Sequence, residues 1–122
     1  MTDNYRGLTL VEKVLIEGLQ DVLMPDWIYA ECNASLPAAP LDSRSVAMGV
    51  IAELLINDLV LGRTFEEGTW EEWLGDKAQL LELVVQAWLE TGPLGPPPTW
   101  SIAQFVLSSK GRQRALQILE RK

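Results

Sequence analysis

The stretch that decides the fold is residues 50–63, which read Val50-Ile51-Ala52-Glu53-Leu54-Leu55-Ile56-Asn57-Asp58-Leu59-Val60-Leu61-Gly62-Arg63. In its first half, apolar residues recur at the spacing of a buried helix face. In its second half, a turn-forming pair is followed by the short apolar run of a strand. The sequence therefore predicts a helix over about 44–57 that turns into a strand. The strand residues expected to face inward are Leu59, Leu61 and Phe65.

Capping signals mark two further helix starts. Thr9 and Glu12 have the spacing of a capping box, in which each side chain accepts a backbone N–H of the other residue. The helix that follows is expected to end at Pro25. Thr69 and Glu72 repeat that spacing, so they predict a short helical turn with Trp70 and Trp73 on one face.

Proline and glycine divide the rest of the chain. We expect breaks at Pro37–Pro40 and at Gly92, and a stiff connector over Leu94–Thr99. A strand is expected within Trp100–Leu107, and Ser108 or Ser109 is expected to cap a last helix.

The predicted helix over 76–90 has an unusually wide apolar face. Only Gln79, Glu82, Gln86 and Glu90 interrupt it, so about two thirds of its circumference is apolar. Such a helix is either sandwiched within the chain or buried against a second copy. The residues expected to form a homodimer contact are Leu81, Val85, Trp88 and Leu89.

Residues 50–63 and 105–112 together resemble winged-helix proteins. The first stretch is similar to the family's recognition helix and its step into a wing strand, although Asp58 stands where glycine is usual. The second stretch, Phe105-Val106-Leu107-Ser108-Ser109-Lys110-Gly111-Arg112, is similar to the second wing strand and the helix start after it. The resemblance implies an antiparallel hairpin after three helices, with residues 68–99 as a helical insertion between its strands.

The same resemblance implies DNA binding with the helix over 44–57 in the major groove. The residues that would contact DNA are Arg44, Ser45, Arg63, Lys110 and Arg112. The charge of the chain disfavours this function. Net charge is −7, with five basic residues and one acidic residue after position 109, which leaves −11 on the remainder. This asymmetry either steers a partner or pairs the C-terminal helix with the body of the chain.

An acidic, tryptophan-bearing segment favours a protein partner instead, because aromatic residues are enriched at binding surfaces. The residues of this candidate surface are Glu66, Glu67, Trp70, Glu71, Glu72 and Trp73. The alternative is that the tryptophans are core residues and the acids a solvated face.

No pattern in the sequence predicts an enzyme, a metal site or a cofactor. The chain has no histidine, so Cys32, the single cysteine, lacks the usual base of a thiol nucleophile and is expected to be buried. No apolar run is long enough to span a membrane or to form a signal peptide, which predicts a cytoplasmic location without membrane association.

The sequence as a whole predicts one winged-helix-like domain over 1–122, of mostly helical α+β class. We expect a non-enzymatic regulatory or protein-interaction domain that binds a protein partner through the acidic surface. The alternative is a winged-helix transcription regulator.

Overall fold

The computed structural model describes residues 8–35, 40–90 and 103–121. This part of the chain is mostly helical and has one antiparallel sheet, so the expected α+β class is confirmed. The elements are α1 (Leu10–Gly18), α2 (Pro25–Ser35), α3 (Pro40–Ile56), β1 (Val60–Glu66), β2 (Thr69–Glu72), α4 (Lys77–Glu90), β3 (Gln104–Leu107) and α5 (Ser109–Glu120). The predicted break at Pro37, the cap at Gly92 and the connector over Leu94–Thr99 lie outside the described residues.

Helix α1 ends earlier than the sequence predicted. After Gly18 the chain turns to the sheet, where the Leu23 N–H donates to the Phe105 carbonyl at 2.7 Å and the Phe105 N–H donates back at 2.8 Å. Pro25 therefore begins α2 instead of ending α1. The first helical position suits proline, because its missing N–H would have no helical partner there.

Helix α3 ends in a Schellman motif, which explains the unusual Asp58. The Leu59 N–H donates to the Leu54 carbonyl at 2.9 Å, and the Asp58 N–H donates to the Leu55 carbonyl at 3.2 Å. Asp58 has a φ of 58°, the left-handed conformation that glycine adopts most easily. The aspartate thus takes the backbone conformation that the turn requires, and Leu54 and Leu59 are both buried beside it.

The two predicted strands are antiparallel neighbours, as expected. Val60 pairs with Leu107 and Arg63 with Gln104. The partners are 47 and 41 positions apart in the sequence, so a long insertion separates the two strands. The sheet order is β2-β1-β3. The segment between β1 and β3 was expected to be helical, but it begins with the strand β2 before α4.

The junction between β3 and α5 is held against the end of α3. Ser108, rather than Ser109, caps α5: its Oγ accepts the Gly111 N–H at 3.0 Å and donates to the Asp58 carbonyl at 2.6 Å. A Cβ on Gly111 would overlap the Leu59 carbonyl oxygen. Only glycine allows this close approach of α5 to the backbone of the preceding turn.

Helix α4 packs within the chain through the middle of its apolar face. Leu80, Val84 and Trp88 are fully buried, and a Cβ on Gly62 of β1 would overlap the Leu80 side chain. The inclusion of Trp88 in a homodimer contact was therefore wrong, because its indole fills the core of its own chain. Leu81 and Val85 are half-buried, and Leu89 is 59% exposed.

A homodimer through the remaining residues, Leu81, Val85 and Leu89, stays a prediction. Wild-type protein is expected to sediment with the mass of two chains. Leu89→Glu is expected to sediment with the mass of one, because the glutamate charge would lose its solvation in the interface. Sedimentation equilibrium measures both masses. A monomeric wild type at high micromolar concentration would contradict the prediction.

Helices α1 and α5 are joined by ion pairs to Glu12. The Thr9 N–H donates to Glu12 Oε1 at 3.0 Å, which confirms the first capping box. Arg121 donates to Glu12 Oε2 at 2.7 Å, and Arg114 lies 3.8 Å from the same oxygen. Part of the basic C-terminal segment thus pairs with the body of the chain, one of the two readings of the charge asymmetry. The Thr9 hydrogen bond and then Arg121 hold the Glu12 pKa below its ordinary value of 4.5.

Glu12→Gln should reduce the free energy of unfolding at neutral pH by about 0.5–1 kcal/mol, since it removes the charge that Arg121 and Arg114 face. The lowered pKa means that the Glu12 carboxylate stabilises the fold above its unfolded-state pKa. That stability is lost as the pH falls through the lower folded-state pKa. Urea titrations should therefore give a constant difference between wild type and variant near neutral pH, which shrinks below about pH 4. A difference that is the same at pH 3 and pH 7 would contradict this role.

Candidate functional site

The predicted helical turn at Thr69–Glu72 was wrong, because this segment is the second strand of a β-hairpin. Glu67 and Gly68 both have positive φ, 50° and 87°, and form a two-residue turn that closes the pair Glu66 and Thr69. The Thr69 hydroxyl donates to Glu71 Oε2 at 2.7 Å rather than capping a helix. The hairpin places Trp70 directly opposite Phe65.

The outer face of the hairpin carries exposed apolar side chains. Leu61 and Phe65 were expected to face inward, but they are 43% and 47% exposed. Val60 and Gly62 face the core instead, because the close approach of Leu80 requires glycine at position 62 and this sets which alternate residues point outward. The Phe65 and Trp70 rings meet edge to face, with centroids 5.5 Å apart.

Trp73 lies on the opposite face of this strand from Trp70. The Trp73 N–H donates to the Gly62 carbonyl at 2.8 Å, and its indole Nε1 donates to the Asp76 carbonyl at 3.0 Å. The indole lines an open groove of about 450 Å³ between the end of β2 and α4. The groove is lined by Trp73, Gln79, Glu82, Leu83 and Gln86.

The hairpin is strongly acidic. The side chains of Glu67, Glu71 and Glu72 are exposed, whereas that of Glu66 lies outside what the structure describes. Arg63 of β1, which lies opposite Glu72, is the one basic residue of the hairpin and donates to Gln104, and no lysine or arginine occurs in residues 64–76. Lys77, the next cation along the chain, is ion-paired with Asp58. The structure therefore brings together the predicted acids and both tryptophans on one hairpin, with the tryptophans on opposite faces.

The outer apolar residues and the exposed acids of this element form one surface, the hairpin surface. Its members are Leu61, Phe65, Glu67, Trp70, Glu71 and Glu72. Sequence reasoning missed Leu61 and Phe65. The Glu67-Gly68 pair between two apolar runs was the signal that could have found the hairpin.

The residues proposed to contact DNA are distributed over α3, β1 and α5, and one of them is buried. Arg44 is only 7% exposed: its guanidinium donates to the Trp88 carbonyl at 2.5 Å and lies 5.2 Å from the centre of the Trp88 ring. Its assignment as a DNA contact was therefore wrong. Arg63 is half-buried and donates to Gln104 Oε1.

The remaining members of the DNA set are exposed. Ser45 lies on α3, and Lys110 and Arg112 lie on α5. The solvent-facing side of α3 over the described side chains 44–56 carries an acid and no base. Its residues are Ser45, Gly49, Glu53 and Ile56.

Cys32 is fully buried, as the sequence predicted. Burial, and secondarily the charge of Glu31, raises the pKa of its thiol to about 11. The thiolate, which is the reactive form, is therefore scarce at neutral pH. Over residues 8–35, 40–90 and 103–121, no three acidic, cysteine or histidine side chains are grouped to hold a metal ion, and no helix there is long and apolar enough to cross a bilayer.

Comparison with known proteins gives no family assignment. No protein-family model, curated protein or solved structure matches this chain significantly.

Proposed function

We propose that this chain is a non-enzymatic interaction domain that binds a protein partner through the hairpin surface. The observation that carries the proposal is an aromatic pair on the outer face of the hairpin, the exposed Phe65 and the half-buried Trp70. The pair lies among acids, and the single basic residue of the hairpin, Arg63, donates to Gln104. Clustered aromatic side chains supply much of the energy of protein interfaces, and surrounding charges select the partner. The acids favour a partner with a basic contact surface.

The fold that we propose for this domain is winged-helix-like. In the part of the chain that the structure describes, three helices precede β1, and β1 pairs antiparallel with β3 across a long insertion. Both features agree with the resemblance in residues 50–63 and 105–112. An acidic interaction module of this architecture would present its β1–β2 hairpin to a protein rather than to a nucleic acid.

Affinity capture from an extract of the native cells tests the proposal. The test variant is Phe65→Thr with Trp70→Thr, which removes two outward aromatic rings but keeps residues that favour strands. The matched control is Leu116→Gln with Leu119→Gln, because these α5 leucines are 47% and 42% exposed. Quantitative mass spectrometry should find a partner that wild type and the control retain and the test variant loses. Equal retention by all three proteins would contradict the proposal.

The alternative function, sequence-specific DNA binding, is tested by fluorescence anisotropy with duplex DNA. The net charge of −7 and the burial of Arg44 lead us to expect no sub-micromolar affinity at physiological salt. Sub-micromolar binding that weakens in Arg63→Ala and Arg112→Ala would favour DNA binding over protein interaction as the function.

A further inference from the structure

Strand β2 has no strand paired with one side of its backbone among residues 8–35, 40–90 and 103–121. It is the outer strand in the order β2-β1-β3, and no other strand of the described chain lies on its far side. The Trp73 N–H points to β1, where it donates to Gly62. Because backbone groups alternate in direction along a strand, Glu71 also points to β1, whereas the N–H and C=O groups of Trp70 and Glu72 point away from it.

We propose that this free edge accepts an extended, basic segment of the partner protein as an additional strand. The inference rests on the proposed function and specifies how the partner is held. Two residues with outward N–H and C=O groups, two positions apart, match the hydrogen-bonding repeat of an incoming strand. The exposed acids Glu71 and Glu72 lie on opposite faces of β2. Glu72 lies opposite Arg63 of β1, but the Arg63 side chain donates to Gln104, so cationic side chains of the incoming strand are favoured on both faces.

The side chains along the edge also specify the order of residues in the partner. A strand beside β2 would place successive residues opposite Trp70, Glu71, Glu72 and Trp73. The first and last positions lie next to indole rings, and the last lies beside the groove that Trp73 lines. The favoured partner sequence is therefore apolar, basic, basic, apolar. This order reads the same in both directions, so it holds for parallel and antiparallel addition.

A second copy of this chain is a poor occupant of the edge. Pairing two β2 edges would bring Glu71 and Glu72 of each copy together, and like charges directly opposite one another destabilise a sheet. A short, acidic edge strand is also how natural proteins prevent such self-pairing. The same acids that exclude a second copy favour a basic strand.

The probe for this site is the capped hexapeptide Thr-Val-Lys-Lys-Val-Thr, titrated into ¹⁵N-labelled protein and followed by NMR. Saturable shifts are expected at the Trp70 and Glu72 amides, because these N–H groups gain acceptors. The matched peptide Thr-Val-Glu-Glu-Val-Thr should produce none. Methylation of the backbone nitrogens on one edge of the basic peptide should abolish binding, and methylation on the other edge should not.

Two substitutions of one residue separate strand addition from simple charge attraction. Glu72→Gln removes the charge but keeps the outward N–H, whereas Glu72→Pro removes both and is tolerated where the N–H faces solvent. Glu72→Pro should bind about tenfold more weakly than Glu72→Gln, which corresponds to the loss of one hydrogen bond. Unchanged positions of the β1 and β3 amides show that the sheet is intact.

Each outcome distinguishes this inference from the proposed function. Equal affinities of Glu72→Gln and Glu72→Pro, with equal binding of both methylated peptides, would overturn strand addition and leave a charged docking surface. No binding of the basic peptide at millimolar concentration would also overturn it. The proposed function is tested separately, by the capture experiment with the variant that combines Phe65→Thr and Trp70→Thr.

Discussion

Gly111→Ala is expected to destabilise the domain by about 3 kcal/mol, at the upper end of the usual cost of overpacking. The new methyl group would overlap the Leu59 carbonyl oxygen and would lie 2.9 Å from the Leu59 carbonyl carbon. Backbone atoms cannot rotate away as a side chain can, so α5 must shift from the turn that Ser108 and Asp58 hold together. Urea denaturation followed by circular dichroism measures the loss.

Gly49→Ala is the matched control, because it is the same substitution inside another helix. A Cβ at position 49 meets nothing within 4 Å, and the residue is exposed. Alanine should therefore stabilise α3 by about 0.5–1 kcal/mol through the lower entropy of the unfolded chain. If Gly111→Ala and Gly49→Ala changed the free energy of unfolding by the same amount and in the same direction, α5 would not approach the Leu59 backbone so closely.

Arg44→Ala is expected to cost about 3 kcal/mol, because it removes a buried, charge-assisted hydrogen bond and leaves a cavity beside an indole ring. Arg44 joins α3 to the last turn of α4 through the Trp88 carbonyl and the face of the Trp88 ring. Arg112→Ala is the control: it removes an exposed guanidinium from α5 and should change stability by less than about 0.5 kcal/mol. Thermal melting of both variants checks the difference.

The opposite result would restore Arg44 as a surface residue. Arg44→Ala could instead keep the melting temperature of the wild type while Arg112→Ala lowers it. The Arg44 guanidinium would then not be buried against α4, and it could contact nucleic acid. A lowered melting temperature for Arg44→Ala alone would confirm that this residue holds two helices together.

The two capping-box sequences show what local pattern could and could not predict. Thr9 and Glu12 form the expected reciprocal hydrogen bonds, whereas Thr69 and Glu72, at the same spacing, lie in a strand. The difference comes from pairing outside the local window: Glu67 and Gly68 reverse the chain, and β2 then gains a full partner in β1. A local capping signal contributes about 1 kcal/mol, which an extended strand pairing can exceed.

The candidate site was predicted in part for the same reason. Its acids and tryptophans are adjacent in sequence, so composition alone indicated them. The exposure of Phe65 depends on Leu80 approaching Gly62, and the burial of Arg44 depends on Trp88, 44 positions away. Contacts between residues distant in sequence determine the exposure of Phe65 and the burial of Arg44. The periodicity of a single segment contains no information about such contacts. The antiparallel pairing of β1 with β3 was predictable because each strand has a recognisable junction with a helix beside it in the sequence, at Asp58 and at Ser108.

The most direct test of the central claim is amide hydrogen exchange of this protein, free and bound to the partner that capture identifies. If the partner binds the hairpin surface, amide exchange over residues 60–73 should be slower in the bound state than in the free state. The largest change is expected at the outward amides of Trp70 and Glu72. The exposed sides of α3 and α5 should exchange at the same rate in both states. Protection on α3 or α5 with no change over residues 60–73 would contradict the account, because the partner would then bind a surface other than the hairpin.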